Sequence, residues 1–216
     1  MPDFVFAPLC TPGSPYSAEY AAAVTPGQPL PLFPMLMPED WEHAPTQIKR
    51  TLYAGTKLRL IPDVALVYLV PTPGNNMPNI AWVRSERAQG LGVTPEELER
   101  VAYANVARRP ASWSVLEVAS GARVAMCNDD YLAAERILDP AFLRAAADRL
   151  GAPGAKLLVG VPTRGTLIAS VYTGSQHDGV LAQLVEVMYE EARNKPISPV
   201  PFWVENGRIA AALELE

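Results

Sequence analysis

The residues of this sequence that are best suited to chemistry are three consecutive polar side chains, Asn128, Asp129 and Asp130, followed by Tyr131. They stand at a predicted strand-to-helix junction, where side-chain oxygens can accept hydrogen bonds from the first N–H groups of a helix. The same oxygens could instead contact a small ligand or a hard cation. Capping needs only one or two of the three residues, so both interpretations stay open. A metal is not predicted, because Glu135 lies more than one helical turn further along the chain.

Two other polar residues each allow a structural and a ligand-binding interpretation. Asn105 follows Leu98 by seven residues on the apolar stripe of a predicted helix, so we expect it to face the core. A buried amide must find hydrogen-bond partners, either in a neighbouring segment of the chain or in a ligand. Arg164 lies in a predicted turn between two strands, where it is either solvated or an anion contact.

Familiar catalytic and cofactor sites are not predicted. The segment from Gly160 to Thr166 has the glycine spacing of a phosphate loop, but it lacks the lysine, and the following residues favour a strand over a helix. Only His43 and His177 could supply the histidine base of a hydrolytic triad. We therefore predict no catalytic residue, no metal site and no cofactor, and we lean towards a protein that is not an enzyme.

Composition restricts the class of protein. A chain of 216 residues suits one domain, and 49% hydrophobic with 19% charged residues is typical of a globular protein. The net charge of −5 argues against nucleic-acid binding, which needs a basic face. Two cysteines are too few for a disulfide framework, and neither a signal peptide nor a membrane-spanning run is recognisable. We expect a soluble cytoplasmic protein with no nucleic-acid or membrane partner.

The first 50 residues predict a proline-rich arm. Nine prolines fall within residues 1–38, and proline fixes φ and lacks the N–H that a central strand must donate. We expect an extended arm on the surface of the domain, with Leu30, Leu32 and Phe33 packed inwards. A polyproline ligand motif at 29–34 is the alternative.

Residues 51–216 predict a single α+β domain. Strands are expected at 58–61, 64–70 and 80–84, and a helix that opens at Thr94 with Glu97 in a capping box and ends near Arg108. The remaining predicted elements are strands 113–118 and 123–127, helices 130–138 and 140–150, strands 156–161 and 166–172, helix 175–193, and a hairpin of 200–205 with 208–215 around Asn206-Gly207. Strands that arrive in hairpin pairs favour a largely antiparallel sheet with helices mostly on one face.

Several segments, taken in order, resemble the bacterial YtpQ family, whose function is not established. They are 101–106, 127–138, 161–169 and the final Asn-Gly hairpin, and the resemblance covers roughly residues 94–216. The second segment is one residue longer than the family motif. Its equivalent is therefore either Asn128-Asp129 with Tyr131 or Arg136-Ile137-Leu138, and the latter adds Arg136 to the candidate residues. The resemblance implies an α+β cytoplasmic bacterial protein and no particular reaction.

Two functional hypotheses follow. The first is a non-catalytic domain that binds a protein partner or serves as an accessory module, with the proline-rich arm and Trp82, Trp113 and Trp203 as possible contacts. It predicts an exposed apolar patch of more than a few hundred Å². The alternative is a small-molecule-binding enzyme or sensor with a pocket near the 128–130 helix start. That pocket would bring together Asn105, Asp129, Asp130, Tyr131, Arg136 and Arg164.

Overall fold

The computed structural model describes residues 32–38, 50–51, 64–72, 79–82, 94–118, 121–128, 132–192 and 196–212. The chain divides into two compact units. The first holds most of the N-terminal strands and the helix that ends at Arg108; the second holds the chain from Arg109 onwards, together with Leu36–Asp40 and Thr51–Ala65. The arm and domain boundary at residue 50 stays a prediction.

The N-terminal strands form a four-stranded sheet. Its strands are β1 (Phe33–Pro38), β2 (Arg50–Thr51), β3 (Val64–Thr72) and β4 (Asn79–Trp82). The strand order is β1-β3-β2, and β4 pairs with β3 in antiparallel register. Strand β1, which carries Pro34 and Pro38, therefore ends the order, while Pro71 lies near the end of the central strand β3. Leu32 and Phe33 are buried as predicted. Leu30 and the strand predicted at 58–61 lie outside the described residues.

Helix α1 (Pro95–Arg108) ends at the predicted residue and begins with the predicted capping box. The Thr94 N–H donates to Glu97 Oε2 at 3.0 Å, and the Glu97 N–H donates to Thr94 Oγ1 at 3.3 Å. Two backbone donors that have no partner inside the helix are thereby satisfied. The buried face of the helix includes Val101 and Val106.

The second unit is built on a six-stranded antiparallel sheet, which confirms the predicted α+β class. Its strands are β5 (Ser114–Glu117), β6 (Arg123–Asn128), β7 (Leu157–Thr163), β8 (Thr166–Val171), β9 (Phe202–Glu205) and β10 (Arg208–Ala212). The order is β10-β9-β7-β8-β6-β5, so three sequential hairpins lie side by side. The predicted Asn-Gly turn is confirmed, since Asn206 and Gly207 have φ of 53° and 77°.

Helices cover both faces of this sheet, a more even arrangement than the sequence suggested. Helix α2 (Pro140–Arg149) and helix α3 (Gln176–Glu190) complete the unit, with a short 3-10 helix (Ala134–Leu138) before α2. Leu158 and Ile168 pack with Val185 of α3, whereas Leu157 and Val204 line a cavity beside α2. Successive strand residues point to opposite faces, so α2 and α3 lie on opposite sides. The reason is visible in β7 and β8, whose residues are buried at nearly every consecutive position.

The helix predicted over 130–138 is shorter than expected. Only Ala134–Leu138 is helical among the described residues of that range, and it is a 3-10 helix. Asp139 then adopts an extended conformation (φ −104°, ψ 99°), because a residue before proline is driven out of the helical region. Its Oδ1 accepts from the N–H groups of Ala141 and Phe142, at 3.0 and 3.1 Å. Asp139 therefore ends the 3-10 helix and also caps the start of α2. The cap of α2 at Asp139 was predicted from the sequence.

A substitution at Gly160 tests how closely α3 approaches the sheet. A Cβ added at Gly160 would overlap the Cγ2 atom of Val185, while one added at Gly179, an exposed position of α3, would meet nothing within 4 Å. We expect Gly160→Ala to lower the free energy of unfolding by about 1–3 kcal/mol through overpacking. The matched change Gly179→Ala should leave it equal or raise it by up to about 1 kcal/mol. Urea unfolding of both variants measures this, and equal effects would contradict the close packing.

Candidate functional site

Asn105 has the structural role that the sequence left open. Its side chain is buried, and Nδ2 donates to the carbonyl oxygen of Leu32 at 2.8 Å. Both residues belong to the first unit. The amide therefore ties α1 to the chain just before β1, and this hydrogen bond uses a donor that a ligand would have required.

Arg136 is a buried brace inside the second unit. Its side chain is almost fully buried, and Nη2 donates to the carbonyl oxygen of Arg109. Nη1 lies 3.8 Å from Asp139 Oδ2, and the guanidinium carbon is 5.2 Å from the centroid of the Phe142 ring. A buried cation is tolerated when hydrogen bonds and an opposite charge compensate for the lost water. Arg136 thus joins three segments of the unit, and its described contacts all lie within the fold.

Two more charged side chains are buried nearby, one in the same 3-10 helix and one in the β7–β8 turn that is hydrogen-bonded to it. Glu135 is fully buried, and its Oε1 accepts from the backbone N–H of Leu36 at 2.9 Å. Arg164 is also buried rather than solvated, and its carbonyl oxygen accepts from the N–H of Ala134 at 3.2 Å. The structure therefore brings Arg136 and the Arg164 turn to one short element. The described contacts of that element fasten segments of the chain to one another.

The acidic segment 128–131 lies mostly outside the residues that the structure describes. Asp129, Asp130 and Tyr131 lie outside the described residues, and Asn128 is an exposed residue at the end of β6. Their role as a helix cap or a ligand contact stays a prediction. Within the part of the chain that the structure describes, no group of three metal-ligating side chains comes together, and no helix is long and apolar enough to cross a membrane.

A cavity that the sequence did not indicate opens where β6 and β8 separate. The two strands pair from Asn128↔Thr166 to Ala125↔Ala169, and the described ladder stops there. Beyond this point a cavity of about 310 Å³ lies between the two strands and the end of α2. We call it the β6–β8 cleft. Its lining residues are Gly121, Ala122, Arg123, Leu150, Ser170, Val171 and Thr173.

Among the described residues that line the β6–β8 cleft, Arg123 is the charged one. Its Nη1 donates to the carbonyl oxygen of Leu150 at 2.9 Å and its Nη2 to that of Arg149 at 3.2 Å. These carbonyls end α2, where the helix dipole favours a positive charge. The guanidinium is therefore held in place at the cleft wall before any ligand binds.

Ser170 also lines the cleft, but its side chain points to the sheet face that α3 covers, because Ser170 pairs with Leu158 and lies two residues after Ile168. The residue is 7% exposed, and its Oγ atom is buried with no hydrogen-bond partner among the described residues. An unsatisfied buried hydroxyl costs about 1–3 kcal/mol, so such groups usually have a partner that is a ligand or an ordered water. Thr173 differs, because its Oγ1 contacts Asp178 Oδ1 at 3.1 Å and Ser175 Oγ at 2.7 Å.

Sequence reasoning missed Arg123 and Ser170 because no local pattern distinguishes them. Arg123 is the first residue of a strand after a turn, and Ser170 is one polar residue in an apolar strand. The two residues are 47 positions apart, and they line one cavity because β6 and β8 are neighbouring strands.

No family model, curated protein or solved structure matches this chain. The resemblance of residues 94–216 to the YtpQ family therefore stays a prediction, and the function has to be argued from the site itself.

The bracing role of Arg136 predicts a large stability cost for a conservative change. We expect Arg136→Lys to lower the free energy of unfolding by about 2–4 kcal/mol, because an ammonium cannot reproduce the planar guanidinium contacts. Arg144→Lys is the matched control, since exposed Arg144 also donates to a backbone carbonyl, that of Asn206 at 3.3 Å. It should cost less than about 0.5 kcal/mol. Chemical denaturation measures both, and a tolerated Arg136→Lys would refute the brace.

Proposed function

We propose that this chain is a small-molecule-binding domain whose ligand occupies the β6–β8 cleft. The observation that carries the proposal is the guanidinium of Arg123, which two hydrogen bonds to the end of α2 hold at the wall of the cleft. The volume of about 310 Å³ supports a small ligand, since binding pockets span roughly 300–1,000 Å³.

The walls of the cleft favour binding because they are fixed in advance. β8 is held by β7 on its other side, with Leu157 paired to Val171 and Leu158 to Ser170. Leu150 is held at the end of α2 by its backbone N–H, which donates to the carbonyl oxygen of Ala146 at 2.9 Å. A site that is already ordered loses little conformational entropy when a ligand binds.

The lining of the cleft supports holding a ligand rather than transforming it. A serine nucleophile needs an adjacent general base, for which histidine, a carboxylate or lysine is the usual choice. None of the lining residues that the structure describes is of these types. We therefore keep the expectation of a non-catalytic domain and assign the cleft to recognition.

A protein partner has less support in the described part of the chain. The large hydrophobic side chains that are exposed there are Leu116 and Val187, each about half exposed at 47% and 48%. Two such side chains fall short of a patch of a few hundred Å². Trp113, a possible contact residue, is buried and stacks on the Phe142 ring with a centroid distance of 4.6 Å. The proline-rich arm lies mostly outside the described residues, so its role stays a prediction.

The location of the protein also remains a proposal. We propose a bacterial cytoplasmic protein on the basis of its two cysteines and an arginine-rich composition.

A cleft-filling variant tests the proposed function. Ala122 lines the β6–β8 cleft, and Ala155 lines a second cavity of about 220 Å³ beside α2. A library of small, oxygen-bearing compounds, screened by ligand-observed NMR, should give hits that bind the wild-type protein. We expect Ala122→Leu to weaken these hits about tenfold or more by occupying the cleft, and Ala155→Leu to leave them unchanged.

The opposite results would overturn the proposal. Either the wild-type protein gives no hit, or the hits bind Ala122→Leu as tightly as they bind the wild type. Comparable unfolding midpoints for the two leucine variants would show that loss of binding reflects the cleft and not a loss of folding.

A further inference from the structure

We infer that two copies of this chain pair through strand β5, in antiparallel register about a two-fold axis at Leu116. Pairing at this edge of the six-stranded sheet is independent of the β6–β8 cleft and its ligand, since no residue of β5 lines the cleft. Three features of the sheet support it: the unpaired outer edge of β5, the irregularity of the opposite edge, and the exposed leucine of β5.

The outer edge of β5 presents backbone groups for a further strand. Among the strands that the structure describes, β5 ends the order of its sheet and pairs with β6 alone. The Val118 N–H donates to the Ala122 carbonyl oxygen at 2.9 Å, so Val118 directs its backbone groups towards the β6 side. Alternate residues of a strand direct these groups to the same neighbour, so Leu116 does likewise. The N–H and C=O groups of Val115 and Glu117 therefore point to the outside of the sheet.

The two edges of this sheet differ in how well they could accept another strand. At the β10 edge, the register with β9 shifts between Ile209 and Ala211. Bulges of this kind, prolines and lysines are the usual means by which an edge strand avoids pairing with another molecule. Strand β5 pairs with β6 without a shift from Ser114 to Glu117, and it contains neither proline nor lysine. It is therefore the more regular template of the two.

The register follows from symmetry and from the outward backbone groups. A two-fold axis perpendicular to the sheet sets each residue opposite one that points to the same face, so the axis passes beside a residue of β5. With the axis at Leu116, Val115 of each copy lies opposite Glu117 of the other, and both pairs exchange their N–H···O=C hydrogen bonds. Any other position of the axis places Val115 or Glu117 opposite a residue beyond the ends of the strand. The axis at Leu116 therefore satisfies the outward groups most completely.

The side chains of β5 suit this register. Leu116 is 47% exposed, and on the axis it meets its own copy as a non-hydrogen-bonded pair, in which the Cα atoms lie about 4.5 Å apart. Glu117, the charged residue of β5, lies opposite Val115 of the other copy, so the pairing sets no like charges against each other. The contact is small beside the roughly 1,200–2,000 Å² of stable interfaces, so we expect a weak dimer that dissociates on dilution.

Sedimentation equilibrium of the full chain, from about 10 μM to about 1 mM, measures the association. We expect the average mass to rise from that of the monomer towards that of the dimer as the concentration increases. Leu116→Lys should weaken the dimer about tenfold or more, because two ammonium groups would then face each other at the axis. Val187→Lys is the matched control, since Val187 is 48% exposed but lies on α3, and it should leave the dissociation constant unchanged.

A cysteine placed on the axis gives an independent readout. Leu116→Cys should form an intermolecular disulfide under mild oxidation, because a Cα separation of about 4.5 Å lies within the range of that bond. Val187→Cys has the same exposure and controls for random collision, while the wild-type protein controls for the two native cysteines. Both controls should give little cross-linked dimer.

The opposite results would overturn the inference. These are a chain that stays monomeric at about 1 mM, a dimer that Leu116→Lys leaves intact, and a dimer that Val187→Lys weakens as much. Equal cross-linking of the two cysteine variants would also contradict pairing at Leu116. Should Leu116→Lys prove unfolded, the comparison of Leu116→Cys with Val187→Cys still decides the question.

Discussion

The second unit depends on one constraint: both faces of the β7–β8 hairpin must be shielded from water. Nearly every residue of these strands is buried, so neither face can be left to solvent. Helix α3 meets one face so closely that Gly160 leaves just enough room for Val185. The 3-10 helix and α2 cover the other face, and the outer hairpins β5–β6 and β9–β10 extend the sheet on either side.

The buried charges are a consequence of this arrangement. The 3-10 helix before α2 packs on β7 and β8, and its Glu135 and Arg136 are thereby removed from water. The loss of hydration of Arg136 is compensated by its contacts with the Arg109 carbonyl oxygen, the Asp139 carboxylate and the Phe142 ring. The Glu135 carboxylate accepts a hydrogen bond from the backbone N–H of Leu36. Of the candidate ligand contacts, Asn105 and Arg136 join segments of the fold through the described hydrogen bonds. The cleft remains where β6 and β8 cease to pair, next to the cap that Arg123 places on α2.

Much of the fold could be predicted because its signals are local. The Thr94–Glu97 capping box, the Asp139 cap and the Asn206-Gly207 turn each depend on residues within a few positions of one another. The cleft could not be predicted, because Arg123 and Ser170 come to line one cavity through the register of two strands and the point at which their ladder ends. The brace at Arg136 escaped prediction for a similar reason, since its partner Arg109 is 27 positions away. Local patterns specify elements, whereas long-range register specifies sites.

The most direct test of the central claim is an experimental structure of the protein at a resolution that shows ordered water and small ligands in the β6–β8 cleft. A bound oxygen-bearing molecule within about 3 Å of the Arg123 guanidinium, with Arg123 still joined to the end of α2, is the expected result. A closed cleft in which β6 and β8 continue to pair from Ala125 and Ala169 onwards would contradict it, since no space would then be left for a ligand beside Arg123.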